Sequence, residues 1–242
     1  MVIEMLERRQ LLSATANVVG DHVLVVQLDN SGENILVQEP FTDSHSALVV
    51  ESFPTGGNVY AFDGIKAIVI LGGSGNDTIN ALIKDVPVFI DGGSGNDTIG
   101  VVADVFDPAN DTFGAGSVIM GGNDDDTIVI GGLSNATVLG GNGNDSVIAG
   151  GFILSSGTET TTAGGNAVVI DGGNGSDSLQ SGVFQQLSAL TDSSIMGGNG
   201  SDTIVDLGST NTVDGGNGSD TITVVNGDVV VNSNGHDVVT RV

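Results

Sequence analysis

Through most of this chain, aliphatic residues return at fixed places on either side of a short polar turn. The pairs are Ile70 and Ile79, Ile90 and Ile99, Ile119 and Ile128, Val138 and Val147, Ile170 and Leu179, Ile195 and Ile204, Val213 and Ile222, and Val230 and Val239. Thr or Ser usually precedes the second member, which suits a return to strand geometry. The framing predicts short strands that each point an apolar side chain at a common core. A flexible Gly/Asp linker has no reason to keep such residues in register around every turn. One supersecondary unit stacked many times is the expected architecture.

The turns themselves form seven close copies and one decayed one. They read GGSGNDTI from Gly72, GGSGNDTI from Gly92, GGNDDDTI from Gly121, GGNGNDSV from Gly140, GGNGSDSL from Gly172, and GGNGSDTI from Gly197 and again from Gly215. The decayed copy, NSNGHDVV, starts at Asn232 and keeps Gly235. Glycines at the first, second and fourth places are expected to adopt positive φ, which a side chain would oppose. Such a turn curls carbonyl oxygens inward, where a hard cation that prefers oxygen can collect them. The sixth place is always aspartate: Asp77, Asp97, Asp126, Asp145, Asp177, Asp202, Asp220 and Asp237. In the third copy Asp124 replaces the fourth-place glycine; aspartate tolerates left-handed backbone better than most residues and would add a carboxylate.

These segments resemble the hemolysin-type calcium-binding repeat, the RTX nonapeptide GGxGxDxUx. The resemblance spans residues 70–240 and implies a right-handed parallel β-roll, an all-β solenoid with calcium between stacked turns. It implies side-chain ligation by the eight aspartates. It also implies carbonyl ligation in each turn, from Gly72, Gly73 and Gly75; Gly92, Gly93 and Gly95; Gly121, Gly122 and Asp124; Gly140, Gly141 and Gly143; Gly172, Gly173 and Gly175; Gly197, Gly198 and Gly200; Gly215, Gly216 and Gly218; and Gly235.

Spacing refines the picture. First glycines are separated by 20, 29, 19, 32, 25 and 18 residues, where a tandem array would repeat every nine. Eighteen residues make one whole coil, so calcium-type turns are expected along one edge only. Ordinary turns such as Leu133–Asn135 and Asp206–Asn211 serve the other edge. Seven good turns leave gaps for about six ions. The longer separations hold insertions around Asp104–Gly116, Phe152–Gly165 and Gly182–Thr191, expected to bulge as loops.

Upstream, HVLVVQL, NILVQ, ALVVES, VYAF and AIVIL alternate with polar turns at Asp29–Glu33, Pro54–Asn58 and Phe62–Ile65, which predicts further strands. The chain therefore divides into a leader at 1–16, an N-terminal β cap or degenerate coils at 17–70, and the solenoid at 71–242. A stacked array needs a cap over its open end. Leu6-Glu7-Arg8-Arg9-Gln10-Leu11-Leu12-Ser13-Ala14 resembles the Leu-Glu-Pro-Arg-x-Leu-Leu-Ser-Ala segment that opens many secreted bacterial surface proteins, with Arg8 in place of proline. Ala14-Thr15-Ala16 has the small residues of a cleavage site. Secreted or extracellular placement follows, with attachment to a cell surface left open.

Charge narrows the partners. The 242 residues carry 30 Asp and Glu against 5 Lys and Arg, for a net charge of −25, and from Asp85 to Thr240 there are 20 acids and no Lys or Arg. Self-repulsion opposes compaction unless counter-ions intervene. Nucleic acid and anionic membranes are excluded as natural partners, whereas calcium fits. No apolar run is long enough to span a membrane as a helix. The chain has no cysteine, so ions rather than disulfides would staple it.

Catalytic motifs are missing. His22, His45 and His236 share no spacing, and there is no His-Glu-x-x-His, no Gly-x-Ser-x-Gly and no phosphate-binding loop at Lys66 or Lys84. The sequence reads as a non-enzymatic, calcium-binding secreted module of a surface, matrix or adhesion protein. The alternative is a calcium-stabilised solenoid enzyme acting on acidic polysaccharide. The basic groups that would hold such a substrate are missing from 85–240.

Overall fold

The computed structural model describes residues 8–10, 14–39, 46–51, 59–83, 86–103, 115–156, 159–163, 165–182, 187–188, 190–231 and 236–242. Every regular element among them is a β-strand. The strands form an eleven-stranded and a thirteen-stranded sheet. Through the repeats successive strands alternate between the two, so each coil gives one strand to each sheet and in-sheet neighbours are parallel and come from consecutive coils. This is the all-β roll expected from the repeat.

The fixed framing of the aliphatic residues becomes two columns. In the first sheet Ile70, Ile90, Ile119, Val138, Ile170, Ile195, Val213 and Val230 stack in register. In the second, Ile79, Ile99, Ile128, Val147, Leu179, Ile204, Ile222 and Val239 do the same. All are fully or almost fully buried except the last pair, where Val230 is partly covered and Val239 is exposed. Each buried aliphatic side chain contributes roughly 1.5–3 kcal/mol. The columns are therefore the main apolar support of the stack.

Each glycine-rich turn carries the chain from the first sheet to the second. Ala67–Ser74 leads into Thr78–Ile83, Val169–Asn174 into Ser178–Ser181, and Thr212–Gly218 into Thr221–Val224. All these turns consequently lie along one edge, as the spacing predicted. The return turns on the opposite edge are of the ordinary kind. Each of four carries one left-handed non-glycine residue, Asn135, Ala167, Asp192 or Thr210, with φ between 49° and 61°. There, buried Asp206 accepts from the Gly208 amide at 2.9 Å and from the Asn211 side-chain amide at 2.9 Å.

The predicted upstream strands appear at Val23–Leu28, Asn34–Gln38, Ala47–Glu51, Val59–Phe62 and Ala67–Ser74. Val23–Leu28 and Asn34–Gln38 form a coil of their own, parallel to the first repeat coil. Beyond that coil the pairing turns antiparallel in both sheets. Ala14–Val19 is also a strand there, with Ala16 completely buried. Its alternating Ala-Thr-Ala-Asn pattern puts small apolar side chains inward.

The insertions depart from expectation. The segment after Gly151 is not a simple loop, because Ser146–Ser156 runs beyond the roll and pairs antiparallel with Glu159–Ala163. Leu187–Ser188, from the following insertion, adds a short antiparallel pairing to the same strand. The three consecutive threonines of ETTTA, at 160–162, suit strand geometry. Residues 104–114 lie outside the described residues. Among the described residues no helix is long and apolar enough to cross a membrane.

Candidate functional site

The glycine-rich edge is built around one repeated hydrogen bond. The backbone amide of each sixth-place aspartate donates to Oδ1 of the aspartate in the next coil. Asp77 thus donates to Asp97 (2.8 Å), Asp97 to Asp126 (2.8 Å) and Asp126 to Asp145 (2.9 Å). Asp145 donates to Asp177 (2.8 Å), Asp177 to Asp202 (2.8 Å), Asp202 to Asp220 (2.9 Å) and Asp220 to Asp237 (3.1 Å). Seven of these carboxyl groups are at most 2% exposed. Asp237, in the decayed copy, is only half-buried and takes the longest of these bonds.

Oδ1 is satisfied, but Oδ2 is not. In Asp77, Asp97, Asp126, Asp145, Asp177, Asp202 and Asp220 this oxygen is buried and accepts no hydrogen bond. A buried polar group without a partner is costly, and here the defect recurs at one place in every coil. Each orphaned oxygen faces the first glycine of its own turn. A Cβ at Gly140 would lie 2.5 Å from Asp145 Oδ2, and one at Gly172 would lie 2.5 Å from Asp177 Oδ2. On the other side of the same spot stands the carbonyl of the next coil's first glycine, 2.6 Å from such a Cβ at Gly121 and at Gly172. The parallel ladder also steps over this residue, pairing Leu71 with Asp91 and then Gly73 with Gly93.

The first glycine is therefore required for space, which corrects the expectation of positive φ at that place. Positive φ is confined to the second and fourth places, as in Gly173 (102°) and Gly175 (138°). Missing side chains at Gly72, Gly92, Gly121, Gly140, Gly172, Gly197 and Gly215 leave a cradle between a carboxylate oxygen and, where the next coil is described, a carbonyl oxygen. At the second place the carbonyls of Gly73, Gly93, Gly122, Gly141, Gly173 and Gly198 face the following coil's glycine. At the fourth place those of Gly75, Asp124, Gly143, Gly175 and Gly200 do the same, facing Gly95, Gly143, Gly175, Gly200 and Gly218. The gap between consecutive turns is lined by oxygen.

Burial governs the electrostatics. It pushes Asp97, Asp177 and Asp202 up to about 6 and Asp126 up to about 7, with neighbouring aspartates adding to the rise. Asp145 and Asp220 are raised for the same first reason. A column of ionised carboxylates, each desolvated and close to the next, is an unfavourable arrangement without cations. Among the described residues no three acidic or histidine side chains converge on one point. Each turn supplies one buried sixth-place carboxylate, and backbone carbonyls supply the other oxygens.

The structure places the remaining sequence-predicted positions individually. Asp124 adopts φ 76°, so the third turn keeps its shape without a fourth-place glycine. Its exposed carboxylate accepts from the Gly95 amide at 3.1 Å. Gly235 lies outside the described residues. Outside the cradle, third-place asparagines make their own exposed ladder: Asn142 to Asn123, Asn174 to Asn142, Asn199 to Asn174 and Asn217 to Asn199, all at 2.8–2.9 Å.

The sequence reading missed one residue. Glu33 aligns with Asp77 through the pairing of Asn34 with Thr78 and Ile35 with Ile79. Its amide donates to Asp77 Oδ1 at 2.7 Å, which continues the aspartate ladder upstream. The available signal was the acid, polar, aliphatic order Glu33-Asn34-Ile35, which matches Asp77-Thr78-Ile79. The missing glycine pair hid it.

Family comparison agrees with this geometry. Residues 69–82, 89–99, 130–151, 155–183 and 192–222 match the RTX calcium-binding nonapeptide repeat. These are calcium-binding repeats. The matched segments cover somewhat under half of the chain and leave out the third turn, where Asp124 breaks the glycine pattern. No curated protein and no solved structure matches the chain. The RTX repeat and the oxygen-lined gaps agree on the ion, since calcium takes six to eight oxygen ligands from carboxylates and carbonyls.

Proposed function

We propose that this chain is a secreted structural module that folds and stiffens on binding calcium along its glycine-rich edge. The observation that carries the reading is the buried, unpartnered Oδ2 of Asp77, Asp97, Asp126, Asp145, Asp177, Asp202 and Asp220. A cation between turns would supply each of these oxygens with the partner the protein lacks. In this reading the aspartates provide the charge and the turn carbonyls complete the shell, with about six ions in the gaps between good turns. Calcium contributes positive charge and a flexible oxygen coordination; the chain contributes the preformed stack.

The role is mechanical, without catalysis, in a surface, matrix or adhesion protein outside the cell. Extracellular calcium lies in the range of roughly 10⁻⁴–10⁻³ M that weak oxygen sites use. At ten times the dissociation constant, each independent site adds about 1.4 kcal/mol to the folded state. About six such sites together rival the stability of a whole domain, roughly 5–15 kcal/mol. Calcium thereby decides whether the roll forms.

Circular dichroism and calorimetry of the full chain, in chelator and then in rising calcium, test the proposal. The expected result is weak or absent β signal in chelator and cooperative folding at millimolar calcium. An identical melting temperature in both conditions overturns it.

A further inference from the structure

We propose a calcium site ahead of the first recognisable repeat, between the turn Asp29–Glu33 and the turn Gly72–Asp77, with Glu33 and Asp77 as its carboxylates. This rests on the calcium reading of the repeat turns and extends it to a segment that the repeat pattern does not reach. Glu33 is 6% exposed and its Oε2 accepts no hydrogen bond, the same condition found at Asp77 Oδ2 in the adjoining coil. The carboxyl groups of Asp77 and Asp29 are both close enough to act on Glu33, and the Glu33 amide reaches Asp77 Oδ1 at 2.7 Å. Two orphaned, buried carboxylate oxygens on adjoining coils are an arrangement that a divalent cation relieves.

The surrounding turn repeats the features of the later ones under different residues. Val26 and Ile35 flank it as buried column members, in register with Ile70 and Ile79. The Asp29 carbonyl faces Gly73 as the Gly73 carbonyl faces Gly93. The Asn30 side-chain oxygen accepts from the Ser74 amide at 3.2 Å. Ser31 Oγ lies 2.7 Å from Asp29 Oδ1 and 2.8 Å from Glu33 Oε1, with one hydroxyl proton to share between the two acids.

Two departures from the repeat offset one another. Leu28 stands where the repeats have their first glycine, and its buried side chain takes up the cradle. Glutamate is one methylene longer than aspartate and carries its carboxylate past that obstruction, towards Asp29 and Asp77. A site displaced outwards from the cradle, with carboxylate and side-chain oxygens in place of some carbonyls, suits the adaptable coordination of calcium.

Calcium stoichiometry of the full chain, measured by titration calorimetry, decides the matter. Glu33→Gln is expected to bind one ion fewer than the native chain, with the other sites filled. An unchanged count overturns the site while leaving the repeat sites standing. A native chain that binds no calcium overturns this site and the proposed function together. Should Glu33→Gln fail to fold, the double substitution Leu28→Gly with Glu33→Asp gives a second route. It restores the repeat pattern and is expected to bind as many ions as the native chain. A gain of one ion would mean that the native turn held none.

Discussion

The amide of Asp177 and the side chain of Asp202 lie 25 residues apart in sequence, yet they meet at 2.8 Å across the gap between two coils. Asp202 Oδ1 is thus committed to the neighbouring backbone, and only Oδ2 remains for a ligand. The division of labour within one carboxylate generates opposite expectations with and without calcium.

Asp202→Asn keeps an oxygen for the Asp177 amide and removes the charge. In calcium it should cost about 3–5 kcal/mol, the scale for removing one partner of a buried charge interaction. In chelator the sign should reverse, because burial holds Asp202 up near 6 and the ionised form is what the fold disfavours. Asp237→Asn should cost under about 1 kcal/mol, since that residue is half-buried at a terminal coil. Calcium midpoints of the two variants provide the comparison. Equal shifts would rule out a stacked site at Asp202.

Gly197→Ala isolates the cradle. Gly197 is not left-handed, so alanine meets no backbone penalty there. Its Cβ would stand 2.5 Å from the Gly215 carbonyl and press on Asp202 Oδ2. Calcium titration should show at least a tenfold weaker midpoint, about 1.4 kcal/mol. Gly116→Ala is the control: φ is 81°, but the space around it is open. It should lower folding stability by about 1–2 kcal/mol, the cost of left-handed backbone, while leaving the calcium midpoint in place. Identical calcium behaviour in the two variants would exclude the first-glycine space as part of the site.

Acid should act oppositely on the two forms. The pKa of Asp97, Asp126, Asp177 and Asp202 is raised from 3.8 to about 6–7 in the calcium-free fold. Between these values the folded chain binds more protons than the unfolded one. Calcium-free stability therefore rises as pH falls from 7 towards 4. Protons compete with calcium for the same carboxylates, so calcium-loaded stability falls over the same window. Melting curves at pH 7 and pH 5, each with calcium and with chelator, should show the two trends converging. Parallel trends would contradict the shared role of these groups.

Much of this was legible in the chain because each copy repeats both its chemistry and its framing. Ile170 and Leu179 announce the strands, and Asp177 announces the charge. The reason for the first glycine was not legible, since Gly172 and Gly173 look alike until neighbouring coils are stacked. Only then does one need space and the other a left-handed φ. Glu33 escaped for a related reason. Its equivalence to Asp77 is a matter of register between coils, and Leu28 and Asp29 give no local hint of the glycine pair they replace. The strand pairing after Gly151 was hidden because it uses no repeat residues at all.

Every rung of the carboxylate ladder runs in the same sense, from Glu33 to Asp77 and onward to Asp237. The two ends of the roll are consequently unlike. Cutting a coil from the front frees a carboxylate oxygen, which water can serve. Cutting one from the back strands an amide, as Asp202 would be without Asp220. A chain that emerges front end first always leaves its newest aspartate waiting on residues not yet delivered. Each arriving coil closes the rung left open by the one before it.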